Sequence, residues 1–176
     1  MKVTIVRHGQ TNYNVQALCN DDPKDDVHLT TLGREQAKQI TELVKNRKFD
    51  AVYISELPRT KETAEIITPI HRFHFIIDKR LNDRKTGFNN GKFSDFMKDC
   101  ENDFFHYKHP KGESFQEEKM RVQSFLEEIK KKKHHQVLIV GHQEINRILF
   151  GLCNGLTDQE ILDLPMSNCE VKEIEL

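Results

Sequence analysis

The sequence is conspicuous first for what is missing. No apolar run approaches the roughly 20 residues that a membrane-spanning helix needs, so an integral membrane protein is not expected and no membrane partner is called for. The N-terminus has one lysine and then a short apolar stretch, with no small-residue cleavage site, which argues against a secretory signal. Neither sign of charge dominates: the formal net charge is −1 across 176 residues. A general nucleic-acid binder shows a strong basic excess, so none is expected here. The four cysteines, Cys19, Cys100, Cys153 and Cys169, form no CxxC pair. That excludes a tight disulfide framework and a paired-ligand zinc site, and fits reduced thiols in a cytoplasmic protein. There is no internal repeat, low-complexity tract or Pro/Gly-rich linker, and a single domain over residues 1–176 is expected.

What is present is an alternation of two patterns. Val3–Val6 is a short β run that leads into Arg7-His8-Gly9. Thr30-Thr31 precedes a helical pattern with Ala37, Ile40, Leu43 and Val44 on one face, ending near Asn46. Ala51–Ile54 reads as a second strand, followed by Ser55. Pro58 suits the first turn of the next helix, and Phe73–Ile77 reads as a strand. Residues 81–92 form an irregular loop, Phe93–Phe105 a helix, and Ser114 caps a long helix reaching Lys133. Gln136–Val140 is the strongest strand signal, because a continuous apolar run suits a strand covered on both faces. Gly141-His142 ends it, a helix begins around Ile145, and Cys169–Leu176 reads as an edge strand. Strands alternating with helices predict an α/β three-layer sandwich with a mostly parallel central sheet flanked by helices. In such sheets ligands bind beyond the carboxyl ends of the strands.

Three of the predicted strands end in residues capable of chemistry: Arg7-His8, Ser55 with nearby Arg59, and Gly141-His142. A parallel sheet brings those ends together. Two guanidinium groups match phosphate oxygens. A neutral imidazole accepts a phosphoryl group when its other nitrogen is held by a hydrogen bond, and the Gly9 backbone is a candidate acceptor, because glycine allows close approach. The set suits phosphoryl transfer through a phosphohistidine, with the arginines and second histidine stabilising the transferring oxygens. A leaving alkoxide needs a proton, and Asp83 is the candidate acid; an adjacent phosphate favours its protonated form.

These segments also carry a resemblance. RHGQTNYN resembles the RHGxTxxN signature of the histidine phosphatase superfamily, the phosphoglycerate mutase-like proteins. HLTTLGREQA, SELPRTKETA, RLNDRKTGFNNG, PKGESFQEEKMRVQSFL and VLIVGHQEINRIL resemble that family's further motifs, in order along most of the chain. The resemblance implies His8 as the phosphorylated nucleophile. Arg7, Arg59 and His142 form the phosphate pocket, Asn14 and the backbone N–H of Gln143 are further donors, and Asp83 is the general acid. Read on its own, Asn14 also suits a short helix cap. The sequence departs from the family pattern at Asp83, where glutamate is common, at Gly141, where serine or threonine is usual, at Gln143 and at Asn90.

The reaction expected is metal-independent hydrolysis of a small phosphate monoester, with no cofactor. Mutase-type transfer to a second hydroxyl is the alternative within the fold, and a non-catalytic module sensing a phosphorylated ligand is the alternative outside catalysis. Specificity is expected from residues 12–28 and 89–109. Lys92, Lys98, Lys108 and Lys111 there suggest a charged substrate or only a solvated surface. Arg84 and Arg147 read equally as solvated or as ion-paired near the pocket. His106 and His109 border an entrance or are simply exposed. The pair His71 and His74 has the wrong spacing for metal ligands on a strand.

Overall fold

The computed structural model describes residues 1–69 and 74–176. Among them, β1 (Lys2–Arg7), β2 (Ala51–Ile54), β3 (Ile76–Ile77), β4 (Gln136–Gly141) and β5 (Val171–Glu175) form one sheet in the order β3-β2-β4-β1-β5. β4 pairs in parallel with both β1 and β2, β2 pairs in parallel with β3, and β5 alone runs antiparallel, along β1.

The period of two along a strand decides the layers. Val3, Ile5, Ala51, Tyr53, Val137 and Ile139 point to one face, where α5 (Phe115–Ile129) and α6 (Gln143–Asn154) supply Val122, Phe125, Ile145 and Ile148. Val6, Val52, Ile54, Leu138 and Val140 point to the other, against Ala37 and Val44 of α2 (Thr31–Val44) and Ala64 and Ile67 of α3 (Pro58–Ile67). The expected three-layer sandwich is therefore present. Each fully buried aliphatic side chain contributes about 1.5–3 kcal/mol, and truncating Ile139, at 0% exposure, costs about 2–5 kcal/mol.

Local signals start the helices. The Thr30 side chain accepts from the Gly33 N–H, Pro58 opens α3, and Ser114 and Glu117 form a reciprocal capping box on α5. A Cβ on Gly9 would lie 2.4 Å from the Gly33 carbonyl oxygen, and one on Gly33 2.0 Å from that of Gln10. Glycine at both positions lets the loop after β1 rest backbone-to-backbone on the first turn of α2, which fixes where His8 emerges.

Three sequence readings are corrected. Helix α4 (Phe93–Asp99) stops well short of Phe105. The Asp103 carboxylate accepts the His106 N–H at 3.1 Å, a local bond that competes with helix, while Phe104 and Phe105 turn inward onto the Phe115 ring. Helix α5 ends at Ile129 rather than Lys133, because the lysines beyond it have no face to bury. The strand expected over Phe73–Ile77 is reduced to β3; Phe73, with His71 and Arg72, lies outside the described residues, and His74 is exposed. Two short helices, α1 (Asn12–Gln16) and α7 (Asp158–Asp163), are too brief to show a 3.6-residue period. No helix among the described residues is long and apolar enough to cross a membrane, and all four cysteines are free thiols.

Candidate active site

The neighbouring carboxyl ends of β1, β4 and β2 deliver the three expected segments to one place. The His8 N–H continues the ladder to the Gly141 carbonyl at 3.0 Å, and the His8 and His142 rings meet edge to face with centroids 5.3 Å apart. A cavity of about 690 Å³ opens there. Arg7, His8, Asn14, Arg59, Asp83 and Gln143 all line it, and fully buried His142 stands directly behind.

His8 is 2% exposed, and its Nδ1 lies 2.8 Å from the Gly9 carbonyl oxygen. A carbonyl only accepts, so Nδ1 carries the hydrogen and the lone pair is on Nε2. Burial, reinforced by the cations of Arg59 and Arg7 and by His142, holds the ring well below the usual histidine range. The result is a neutral, oriented imidazole, the form that can attack phosphorus. His142 is arranged in the opposite sense. Its Nδ1 accepts from Arg59 Nε at 3.3 Å and its Nε2 lies 2.9 Å from Ser55 Oγ. Burial and then Arg59 push it well down too, so the free site holds two neutral rings.

Arg59 is the centre of the arrangement. It is 3% exposed, and its Nη1 donates to Asn20 Oδ1 at 2.7 Å while its Nη2 donates to Asp83 Oδ2 at 2.9 Å. Arg7 donates from Nη1 to the Met166 carbonyl at 2.6 Å, and its buried Nε has no partner among the described residues. Asn14 both lines the cavity and caps a helix. Its Oδ1 accepts the Thr11 N–H at 3.0 Å, completing a capping box on α1. That leaves its amide N–H₂ to face the cavity. Gln143 is the first residue of α6, after His142 at the N-cap, so its backbone N–H has no partner within the helix and adds the positive end of the dipole.

Several participants escaped sequence reading. Asn20, in a polar stretch without periodicity, gave no signal that it clamps Arg59, 39 residues away. Arg84, which the sequence left as either solvated or ion-paired near the pocket, is buried and paired with Glu144 at 3.3 Å. Glu118 is 0% exposed, and no N–H or hydroxyl among the described residues donates to its carboxyl. The Glu144 carboxyl faces it, and burial followed by that neighbour's charge pushes Glu118 well above the usual carboxyl range. Arg121 lies 3.5 Å from Glu118 and Arg84 3.3 Å from Glu144, so each carboxyl also has a cation beside it. Lys92, Lys98, Lys108 and Lys111 do not line the cavity, nor do His106 and His109. Asn90 does not line it either; it sits at φ 65 and accepts the Tyr13 hydroxyl at 2.7 Å.

A profile of the histidine phosphatase superfamily (branch 1) matches residues 3–176. The chain belongs to that superfamily. It is 30% identical over 165 residues to the adenosylcobalamin/alpha-ribazole phosphatase of Escherichia coli K12, covering 89% of this chain and 80% of that protein. It is 29% identical over 184 residues to a protein of Enterobacter sp. strain 638 named as a probable phosphoglycerate mutase, covering 99% of this chain and 85% of the other. The crystal structure of the alpha-ribazole phosphatase from Shigella flexneri superposes with a TM-score of 0.90 at 26% identity, over 100% of this chain and 91% of that one. As in the other histidine phosphatases, the sheet is mostly parallel and flanked by helices.

Proposed function

We propose that this histidine phosphatase hydrolyses small phosphate monoesters through a phosphohistidine at His8, without a metal ion, within one domain spanning residues 1–176. The observation that carries this reading is the 2.8 Å bond from His8 Nδ1 to Gly9 O in a site where burial, and then the nearby cations, favour the neutral ring. In the first step Nε2 forms a bond to phosphorus as the ester P–O bond breaks. The Arg7 and Arg59 guanidinium groups, the Asn14 amide, the Gln143 N–H and His142 stabilise the phosphoryl oxygens. Asp83 delivers its proton to the departing alkoxide. Phosphate binding takes Arg59 from Asp83 and leaves that carboxyl beside an anion, which favours its protonated form. In the second step Asp83, now a carboxylate, takes a proton from water as the water oxygen attacks phosphorus. The P–N bond breaks and inorganic phosphate leaves. The positive charge a metal would bring is supplied by two arginines and a helix N-terminus.

Names of relatives support the substrate class, since one is called a phosphatase of a small phosphorylated compound. Free thiols and a near-neutral charge fit a cytoplasmic enzyme with no nucleic-acid or membrane partner. The test is phosphate release from a generic aryl phosphate in the presence of a chelator, for wild type and His8→Ala, with acid-quenched protein assayed for phosphohistidine. Release and labelling by the wild type, both absent in the variant, are expected. Loss of release on chelation overturns the metal-free mechanism. A requirement for a bisphosphorylated primer, with isomerised product and negligible phosphate, makes the enzyme a mutase.

A further inference from the structure

The cavity is lined by groups of opposite character: Arg7, Arg59 and His8 on the one hand, large apolar side chains on the other. Phe93 and Met97 are four residues apart on α4, so they share a helix face, and both line the cavity while remaining 48% and 38% exposed. Phe96 backs them, its ring 5.9 Å from that of Phe93, and Tyr13 and Leu18 contribute to the same lining. Large apolar side chains left in water forfeit the burial that stabilises a core residue. Two together at the rim of a concave catalytic site mark a surface that a ligand covers.

Several cations near this rim have partners of their own. The Arg84 guanidinium lies 5.1 Å from the Phe96 ring and 4.8 Å from that of Phe104, and pairs with Glu144. Lys92 donates to the Gln16 carbonyl, Lys98 pairs with Asp95 and Lys108 with Glu117. Arg147 lines the cavity, and its Nε donates to the Leu164 carbonyl.

We infer that the leaving alcohol of the natural substrate carries an aromatic ring, seated against Phe93 and Met97 while the phosphate is held by Arg7 and Arg59. Phenyl rings pack edge to face on phenylalanine, and a thioether makes a favourable contact with a ring. For turnover the inference rests on the phosphatase reading; ring binding itself does not.

The experiment compares 2-phenylethyl phosphate with ethyl phosphate, whose leaving alkoxides have similar reactivity, so that the kcat/KM ratio reports the ring. A preference of about tenfold to a hundredfold is expected. In the double variant Phe93→Ser/Met97→Ser the ratio falls toward one; both side chains are exposed, so no internal void is created. Affinities of 2-phenylethylphosphonate and ethylphosphonate, which cannot be hydrolysed, are measured in parallel by calorimetry. Preference for the phenyl phosphonate without turnover of either ester keeps the ring site and removes the hydrolytic reading. Equal affinities and equal kcat/KM overturn the ring site and leave hydrolysis standing. So does a ratio unchanged in the double variant, or 3-phosphoglycerate outperforming both esters. Failure of both phosphonates to bind overturns both readings.

Discussion

Arg59 Nη2 and Asp83 Oδ2 lie 2.9 Å apart, so the central anion-binding cation of the site is paired with its proposed acid before any substrate arrives. A phosphate must compete with that carboxylate. Asp83→Asn removes the competitor and the proton donor together. Inorganic phosphate, read as a product inhibitor, is expected to bind more tightly to the variant. Its kcat on alkyl phosphates should fall about a hundredfold to ten-thousandfold, whereas p-nitrophenyl phosphate, whose leaving group needs no proton, should lose far less. An equal loss on both substrates would remove Asp83 from the acid role.

The Gly9 carbonyl makes a tautomer prediction. Nitrogen-edited NMR of the free protein should find His8 as the neutral Nδ1–H form, with no titration through pH 6.5, because burial and then Arg59 hold its pKa well down. His142 should also be neutral in the free protein. Bound phosphate places an anion beside it and should raise its pKa. A His8 resonance that titrates near 6.5 contradicts this arrangement.

Asn20 positions Arg59 through a 2.7 Å bond to Nη1. Hydrogen bonds to charged groups are worth about 1.5–3 kcal/mol. Asn20→Ala is therefore expected to lower kcat/KM about tenfold to a hundredfold, with the fold intact by circular dichroism. Unchanged kinetics would mean that Asp83, His142 and the Asn20 backbone carbonyl orient the guanidinium without the Asn20 side chain.

Glu118 links the site to stability. Its pKa is raised in the folded state, so the native protein keeps a proton that the unfolded chain releases above its ordinary value of 4.5. Stability from this group is complete below that value and is lost as pH rises through the raised one. Glu118→Gln keeps the shape and a donor toward Glu144 without an ionisable proton. It should stabilise the protein by about 1–3 kcal/mol at pH 8 and flatten the pH dependence of urea unfolding. Destabilisation at pH 8 would show that the carboxylate, through Arg121 at 3.5 Å, is what the fold requires.

Local chemistry wrote much of this protein into its sequence. The apolar run at Val137–Val140 marks a strand covered on both faces, and the caps at Thr30 and Ser114 mark where α2 and α5 begin. Arg7, His8, Arg59 and His142 were legible as a group because parallel strands must bring their carboxyl ends to one edge. Those signals are periodic, or lie within a few residues of each other, so they survive without a third dimension. The Asn20 clamp on Arg59, the buried facing carboxyls of Glu118 and Glu144, the early end of α4 and the exposed pair Phe93 and Met97 do not. Each depends on groups far apart in the chain, or on which exposed face looks into a cavity, and no local period encodes either. The lysines of residues 92–111 read either as a sign of a charged substrate or as a solvated surface; none of them lines the cavity, and Phe93 and Met97 do. The sequence by itself determined the sheet, its flanking helices and the residues at the strand ends. Only the tertiary structure decided which side chains hold those residues in place and what kind of surface surrounds them, because burial and charge pairing are properties of neighbours in space.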